Sequence, residues 1–241
     1  MKVIKVKDYD EMTEELLALF VNQIKEKKDS VLSFTTGGTP RGLLEALADA
    51  VNRGLDISRC VCCNLDEYVG EKTGLYSVYR FMNEHFYDRI KVRPREIHMM
   101  NAEAEDKTAE LERYRRVLEQ YPRDIQLLGL GTNGHIGANE PGTSFDSTLF
   151  VADSCESTIE ATRSLFDLSY EETPRQMFTM GFKEIMAARC VVLAASGASK
   201  AKAVKAVIEG DITEDVPASY LKTHDNFIFV IDEEAAALLE H

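Results

Sequence analysis

Short, continuously apolar runs alternate along this 241-residue chain with longer segments of helical period. Together with the absence of a Pro/Gly/Ser-rich linker, that alternation predicts an α/β fold in a single domain spanning residues 1–241. The expected architecture is a modified doubly wound, Rossmann-like, mostly parallel sheet with helices on both faces. Strands covered on both sides lose the polar/apolar alternation of a half-exposed sheet. A chain of this length buries about three quarters of the surface its unfolded form exposes, so a self-sufficient core is expected.

Each element follows from its residues. "KVIKV" opens as a strand, and Tyr9 to Lys27 places Met12, Leu16, Leu19, Phe20 and Ile24 on one helical face. "VLSF" (31–34) is a buried strand followed by a helix from about Arg41 to Asn52. "CVCCN" (60–64) precedes a helix containing Val78, Phe81, Met82 and Phe86. A weak strand near Ile97 leads to a helix from roughly Ala104 to Gln120, and "IQLLGLG" follows as the next strand. "CVVLAAS" (190–196) runs into a helix from Lys200 to Glu209, with Gly210 expected as a left-handed cap. "FIFVID" (227–232) closes the pattern with a last helix through Leu239.

Composition narrows the function. A formal net charge of -13 argues against nucleic acid as a partner, because phosphate backbones need a basic footprint. Any anionic ligand must then be held by local features against the global field. No apolar run reaches the ~18 residues of a membrane span, and the N-terminus lacks a signal-peptide core. The five cysteines, Cys60, Cys62, Cys63, Cys155 and Cys190, suit reduced thiols in a cytoplasmic protein. "CVCC" reads poorly as a metal clip, since a strand sends adjacent side chains to opposite faces.

Right-handed crossovers bring the strand C-termini to one edge, where sheets of this kind bind ligands. Four polar segments should therefore converge. "TTGGTP" (35–40) offers hydroxyls, an unobstructed backbone and a helix N-terminus suited to phosphate; a plain capped turn is the alternative. "NLDEYVG" (64–70) carries adjacent carboxylates, Asp66 and Glu67, one of which can enter the crevice while the other caps the next segment or meets solvent. A shielded carboxylate has a raised pKa and is a better base toward a carbon acid. In "LLGLGTNGHIGANEPG" (127–142), Glu140 can curl back on His135 with Asn133 beside it, fixing the tautomer and freeing the other ring nitrogen to move a proton. "SGASK" (196–200) puts Lys200 at a helix start, where the dipole disfavours a cation; an anionic ligand would explain it.

With these segments in order, the chain resembles the glucosamine/galactosamine-6-phosphate isomerase family over nearly its whole length. "LGLGTNGHIGANEPG" carries most of the specificity, supported by "TTGGTP", "NLDEYVG", "SGASKAKAV", "TMGFKEIM" and "DVPASYLKTH". The resemblance implies deamination of D-glucosamine 6-phosphate to D-fructose 6-phosphate and ammonia, with no metal or organic cofactor. It implies Asp66 as the base between C2 and C1, and His135 as the ring-opening group held by Asn133 and Glu140. It gives Thr36, Gly37, Gly38, Thr39 and Lys200 to the phosphate, with Arg163 in the loosely matching "ATRSLF" as a further candidate. Galactosamine 6-phosphate is the alternative substrate, and 6-phosphogluconolactone hydrolysis a more distant one. Glu140 favours the isomerase side, because the lactonase segment resembles "DGHTASLFP". A sugar-phosphate-sensing module would need a DNA-binding helix pair for which the residues before "VLSF" leave no room. Relative to the family, Ala138 stands where phenylalanine is frequent, and "EKTGLYSVYRFM" is shortened. "STLFVAD" replaces basic residues of allosteric relatives, and no C-terminal extension like theirs follows "FIFVIDEEAAALL", so a monomer or small homo-oligomer without phosphosugar activation is expected.

Overall fold

The computed structural model describes residues 1–154 and 156–240. The chain begins with β1 (Lys2–Val6), α1 (Tyr9–Glu26), β2 (Val31–Phe34), α2 (Gly38–Asn52) and β3 (Val61–Asn64). Next come β4 (Asp66–Tyr68), α3 (Val78–Met82), β5 (Glu96–His98), α4 (Lys107–Gln120) and β6 (Ile125–Gly129). The remainder contains β7 (Phe150–Asp153), α5 (Glu156–Phe166), β8 (Gln176–Thr179), α6 (Phe182–Met186), β9 (Val191–Ala195), α7 (Ala201–Glu209) and β10 (Phe227–Asp232).

Seven strands form the main sheet in the order β1-β10-β9-β6-β2-β3-β5, and every pairing is parallel. Strand alternation sorts the core into two layers. Leu32 and Phe34 of β2, Cys62 of β3 and Leu127 of β6 pack with Phe20 of α1 and Leu44 and Leu47 of α2. Val31, Cys63 and Leu128 face the other way, onto Tyr114 of α4 and Val204 and Val207 of α7. Both faces are thus dry, which is why these strands are mostly apolar, with Ser33 and Gln126 as buried polar exceptions.

Helix ends follow local chemistry. Asp8 accepts the Glu11 amide at 3.1 Å to start α1, and Asp106 accepts the Ala109 amide at 2.9 Å to start α4. The latter sets the beginning of α4 at Lys107, three residues later than the apolar periodicity alone suggests. α3 runs directly into a π-helical turn over Asn83–Tyr87.

Two expectations are corrected and one element of the fold is new. Gly210 ends α7 with φ -76°, not in the left-handed region. A Cβ there would come 2.5 Å from the Ala206 carbonyl oxygen, so the glycine is required for clearance. Residues 233–238 form successive turns in place of a last helix. Asp232 shapes them by accepting the Ala235 amide through its side chain and the Ala236 amide through its backbone. Finally, the chain adds a second sheet, β4-β8-β7, which is antiparallel and was not anticipated.

Cys60, Cys62 and Cys63 are buried and free, with Cys62 and Cys63 on opposite faces of the sheet. Burial pushes the Cys60 thiol up to about 11 and that of Cys63 to about 12. Cys155 lies outside the described residues. Among the described residues no cluster of three or more His, Cys, Asp or Glu side chains is placed to hold a metal, and no helix is long and apolar enough to cross a membrane.

Candidate active site

Strand order reverses between β2 and β6: the chain moves outward from β2 to β3 and β5 on one side, and from β6 to β9 and β10 on the other. Loops leaving the C-terminal ends of two such strands diverge and leave a crevice. Here it is a cavity of about 760 Å³. Thr36, Gly37, Gly38 and Thr39 line it from the end of β2, Asp66 from beyond β3, His135 and Glu140 from beyond β6, and Lys200 from beyond β9. All four polar segments meet.

The loop after β2 turns through Gly37, whose φ of +121° suits glycine and serves as the N-cap of α2. No side chain caps this helix, so its first amide groups are available to a ligand. A hydroxyl from the first helix holds the turn: Tyr9 donates to the Gly38 carbonyl at 2.8 Å and accepts the Gly42 amide at 2.8 Å. Gly42 permits that approach, since a Cβ there would lie 2.8 Å from the Tyr9 hydroxyl and 2.4 Å from Thr13 Oγ1.

Asp66 opens β4, paired with Thr179 of β8. The small antiparallel sheet therefore carries this carboxylate across the crevice mouth. Asp66 is 6% exposed, and its Oδ1 is buried without a hydrogen-bond partner. Burial raises its pKa to about 7, against a smaller downward pull from His135. Its neighbour Glu67 points away and is fully buried. Its oxygens accept the amides of Tyr68 (2.9 Å), Val78 (2.9 Å) and Tyr79 (2.8 Å), closing the N-terminus of α3. Burial lifts Glu67 to about 7 as well, while those three amides favour its ionised form. Of the two carboxylates left open by the sequence, Asp66 enters the crevice and Glu67 caps the next helix.

His135 sits 3.3 Å through Nδ1 from Glu140 Oε1. Asn133 donates from Nδ2 to Glu140 Oε2 at 2.7 Å, and its Oδ1 accepts the His135 amide at 3.1 Å. The contact with His135 holds the Glu140 carboxyl below its ordinary pKa, with Asn133 contributing and partial burial opposing. The imidazole lies flat on Gly131, where a Cβ would come 2.5 Å from three ring atoms. One glycine of the run is therefore a seat for the ring.

Lys200 ends a short 3₁₀ turn (Ala198–Lys200) and leads into α7; partial burial lowers its pKa. Arg163 is placed differently. Its guanidinium pairs with Glu160 at 2.7 Å on α5, and it is not among the described residues lining the cavity. Sequence reasoning missed Arg41, Tyr68, Arg80 and Phe166, which also line it. Arg41 could have been noted, because it follows the glycine loop by two residues.

A shielded carboxylate, an imidazole beside a second carboxylate and an open helix N-terminus with a lysine form a group suited to acid–base chemistry on an anionic ligand. The chain belongs to the glucosamine-6-phosphate isomerases/6-phosphogluconolactonase family, whose model matches residues 7–229. Among curated relatives, the glucosamine-6-phosphate deaminase of Ligilactobacillus salivarius (strain UCC118) is 43% identical, covering 100% of both chains. Glucosamine-6-phosphate deaminase 1 of Bacillus subtilis (strain 168) is 39% identical, covering 99% of each. A solved monomeric glucosamine-6-phosphate deaminase superposes with a TM-score of 0.94 at 39% identity, covering 99% of this chain and 100% of that one. The 6-phosphogluconolactonase of Trypanosoma brucei shares the fold at a TM-score of 0.80 and 19% identity, covering 99% and 98% of the two chains.

Proposed function

We propose that this protein converts D-glucosamine 6-phosphate and water to D-fructose 6-phosphate and ammonia. The observation that carries the reading is Asp66: a carboxylate on the cavity wall, 6% exposed, with one oxygen unpartnered and a pKa near 7. A group so placed is costly for the fold and suited to taking a proton from carbon. The identity of about 40% to proteins named for this activity supports the substrate.

The phosphate sits on the amides and hydroxyls of Thr36 to Thr39 with Lys200, and contributes position, not reactivity. His135, oriented by Glu140 and Asn133, moves a proton from O1 to the ring oxygen through its free nitrogen, opening the hemiacetal. The resulting C1 aldehyde acidifies C2–H. Asp66 removes that proton as the electron pair shifts toward C1 and its oxygen, giving an enediol-like amine. Return of the proton to C1, with one proton passing from the amine nitrogen to O1, gives a neutral ketimine at C2. Water adds to C2, and the C2–N bond breaks with the electron pair leaving on nitrogen as ammonia. The free protein is inferred to be monomeric with hyperbolic kinetics, supported by its similarity to the monomeric deaminase.

Ammonia release from glucosamine 6-phosphate and galactosamine 6-phosphate, measured side by side, tests the proposal. Turnover should favour the gluco epimer and fall by at least three orders of magnitude in Asp66→Asn. Wild-type turnover in that variant would remove the base assignment.

A further inference from the structure

Phosphate recognition in this cavity lacks a guanidinium at the position the family pattern suggests, since Arg163 is spent on Glu160 away from the wall. Among the described lining residues the permanent cations are Lys200, Arg41 and Arg80. In a chain of net charge -13, one half-buried lysine is a meagre counter-charge for a dianion.

Arg41 and Arg80 differ in how firmly they are held. Arg80 is fixed on both arms, with Nε 2.6 Å from Glu84 and Nη1 reaching the Thr73 carbonyl at 3.5 Å. Arg41 makes one contact, Nε to Glu45 Oε1 at 3.1 Å, with its side chain 57% exposed. Glu45 also has His85 Nδ1 at 2.9 Å and Arg89 at 3.8 Å, so it remains paired when Arg41 departs. An exposed ion pair of this kind contributes little stability. Arg41 stands two residues past Thr39 on the first turn of α2, and Cα–Cβ bonds in a helix tilt toward the N-terminus. Its side chain thus originates leaning over the turn proposed above to hold the phosphate.

We infer that Arg41 is the phosphate-binding arginine of this protein, swinging from Glu45 onto the 6-phosphate when substrate enters the cavity. The inference rests on the phosphosugar reading above but concerns the anion, so the two fail separately. Bidentate guanidinium contacts to phosphate are geometrically selective as well as strong. Glu45 becomes the parking site of the arm, competing with the ligand for it.

The test measures inorganic phosphate affinity by calorimetry, and KM and kcat for glucosamine 6-phosphate, in wild type, Arg41→Ala, Arg41→Lys and Glu45→Gln. Arg41→Ala should weaken phosphate binding and raise KM about tenfold, which corresponds to roughly 1.4 kcal/mol, with kcat within about threefold. Arg41→Lys should recover part of the affinity, since it keeps the charge and loses the fork. Glu45→Gln should tighten phosphate binding about threefold by releasing the arm. Unchanged phosphate affinity in Arg41→Ala, or weaker binding in Glu45→Gln, overturns the inference. Arg41-dependent phosphate binding without ammonia release would leave it standing and sink the functional proposal instead.

Discussion

Asp66 allows the electrostatic strain of the site to be measured apart from catalysis. In the unfolded chain an aspartate gives up its proton near its model value of 3.8, whereas in the folded protein burial holds it to about 7. Between those values the native state binds more protons than the unfolded state, so folding stability falls as pH rises through the window and levels off above it. The full shift of about 3 pKa units corresponds to an upper bound of about 4 kcal/mol at pH 8, at 1.36 kcal/mol per unit. From pH 5.5 to pH 8 the cost grows by about 1.5 units, or roughly 2 kcal/mol. Asp66→Asn removes the titration while preserving shape. Its stability advantage over wild type, from urea titrations, should therefore be larger at pH 8 than at pH 5.5 by on the order of 2 kcal/mol. In thermal melts that is a relative gain of about 4–8 °C for a chain of this size. Equal increments at both pH values would refute the claim that burial, and not a lost contact, dominates at this carboxylate.

Three further outcomes follow from the same geometry. The kcat/KM profile should rise with pH on a limb near 7, because the base must be ionised, and this limb should vanish from the residual activity of Asp66→Asn; a flat wild-type profile from pH 6 to 8 would contradict it. Gly131→Ala forces the His135 ring off its seat and should lower kcat by about 10²-fold, the scale expected for an ångström-size displacement, with little change in melting temperature. Glu67→Gln keeps one acceptor oxygen and sets an NH2 donor against the remaining amide, that of Tyr79 when the oxygen stays with Tyr68 and Val78, and should destabilise by on the order of 2–3 kcal/mol, read by chemical denaturation.

The sheet was legible because its strands are buried on both faces, so "VLSF", "CVCC" and "CVVLAAS" stay largely apolar in place of alternating. The convergence of four loops followed from parallel topology alone. The antiparallel sheet left little trace: "DEY", "FVAD" and "QMFT" are three or four residues long, below the length at which alternation can be recognised. That sheet carries Asp66, so the carboxylate proposed as the base was readable while its support was not. The expected cap at Gly210 failed for a related reason. A glycine after a helix signals either a left-handed turn or a lack of room, and sequence does not separate the two. Arg163 came from a segment match alone, and the three-residue spacing from Glu160 on one helical face captured its guanidinium.

Tyr9 gives the N-terminal helix a stake in the chemistry. One phenol oxygen, 33 residues from Gly42 along the chain, ties α1 to the rim proposed to hold the phosphate. Occupying that rim therefore restrains the tyrosine, and through it a helix that touches no substrate atom. Slower amide exchange in α1 on saturation with ligand would report this linkage, which makes the opening residues part of the binding equilibrium.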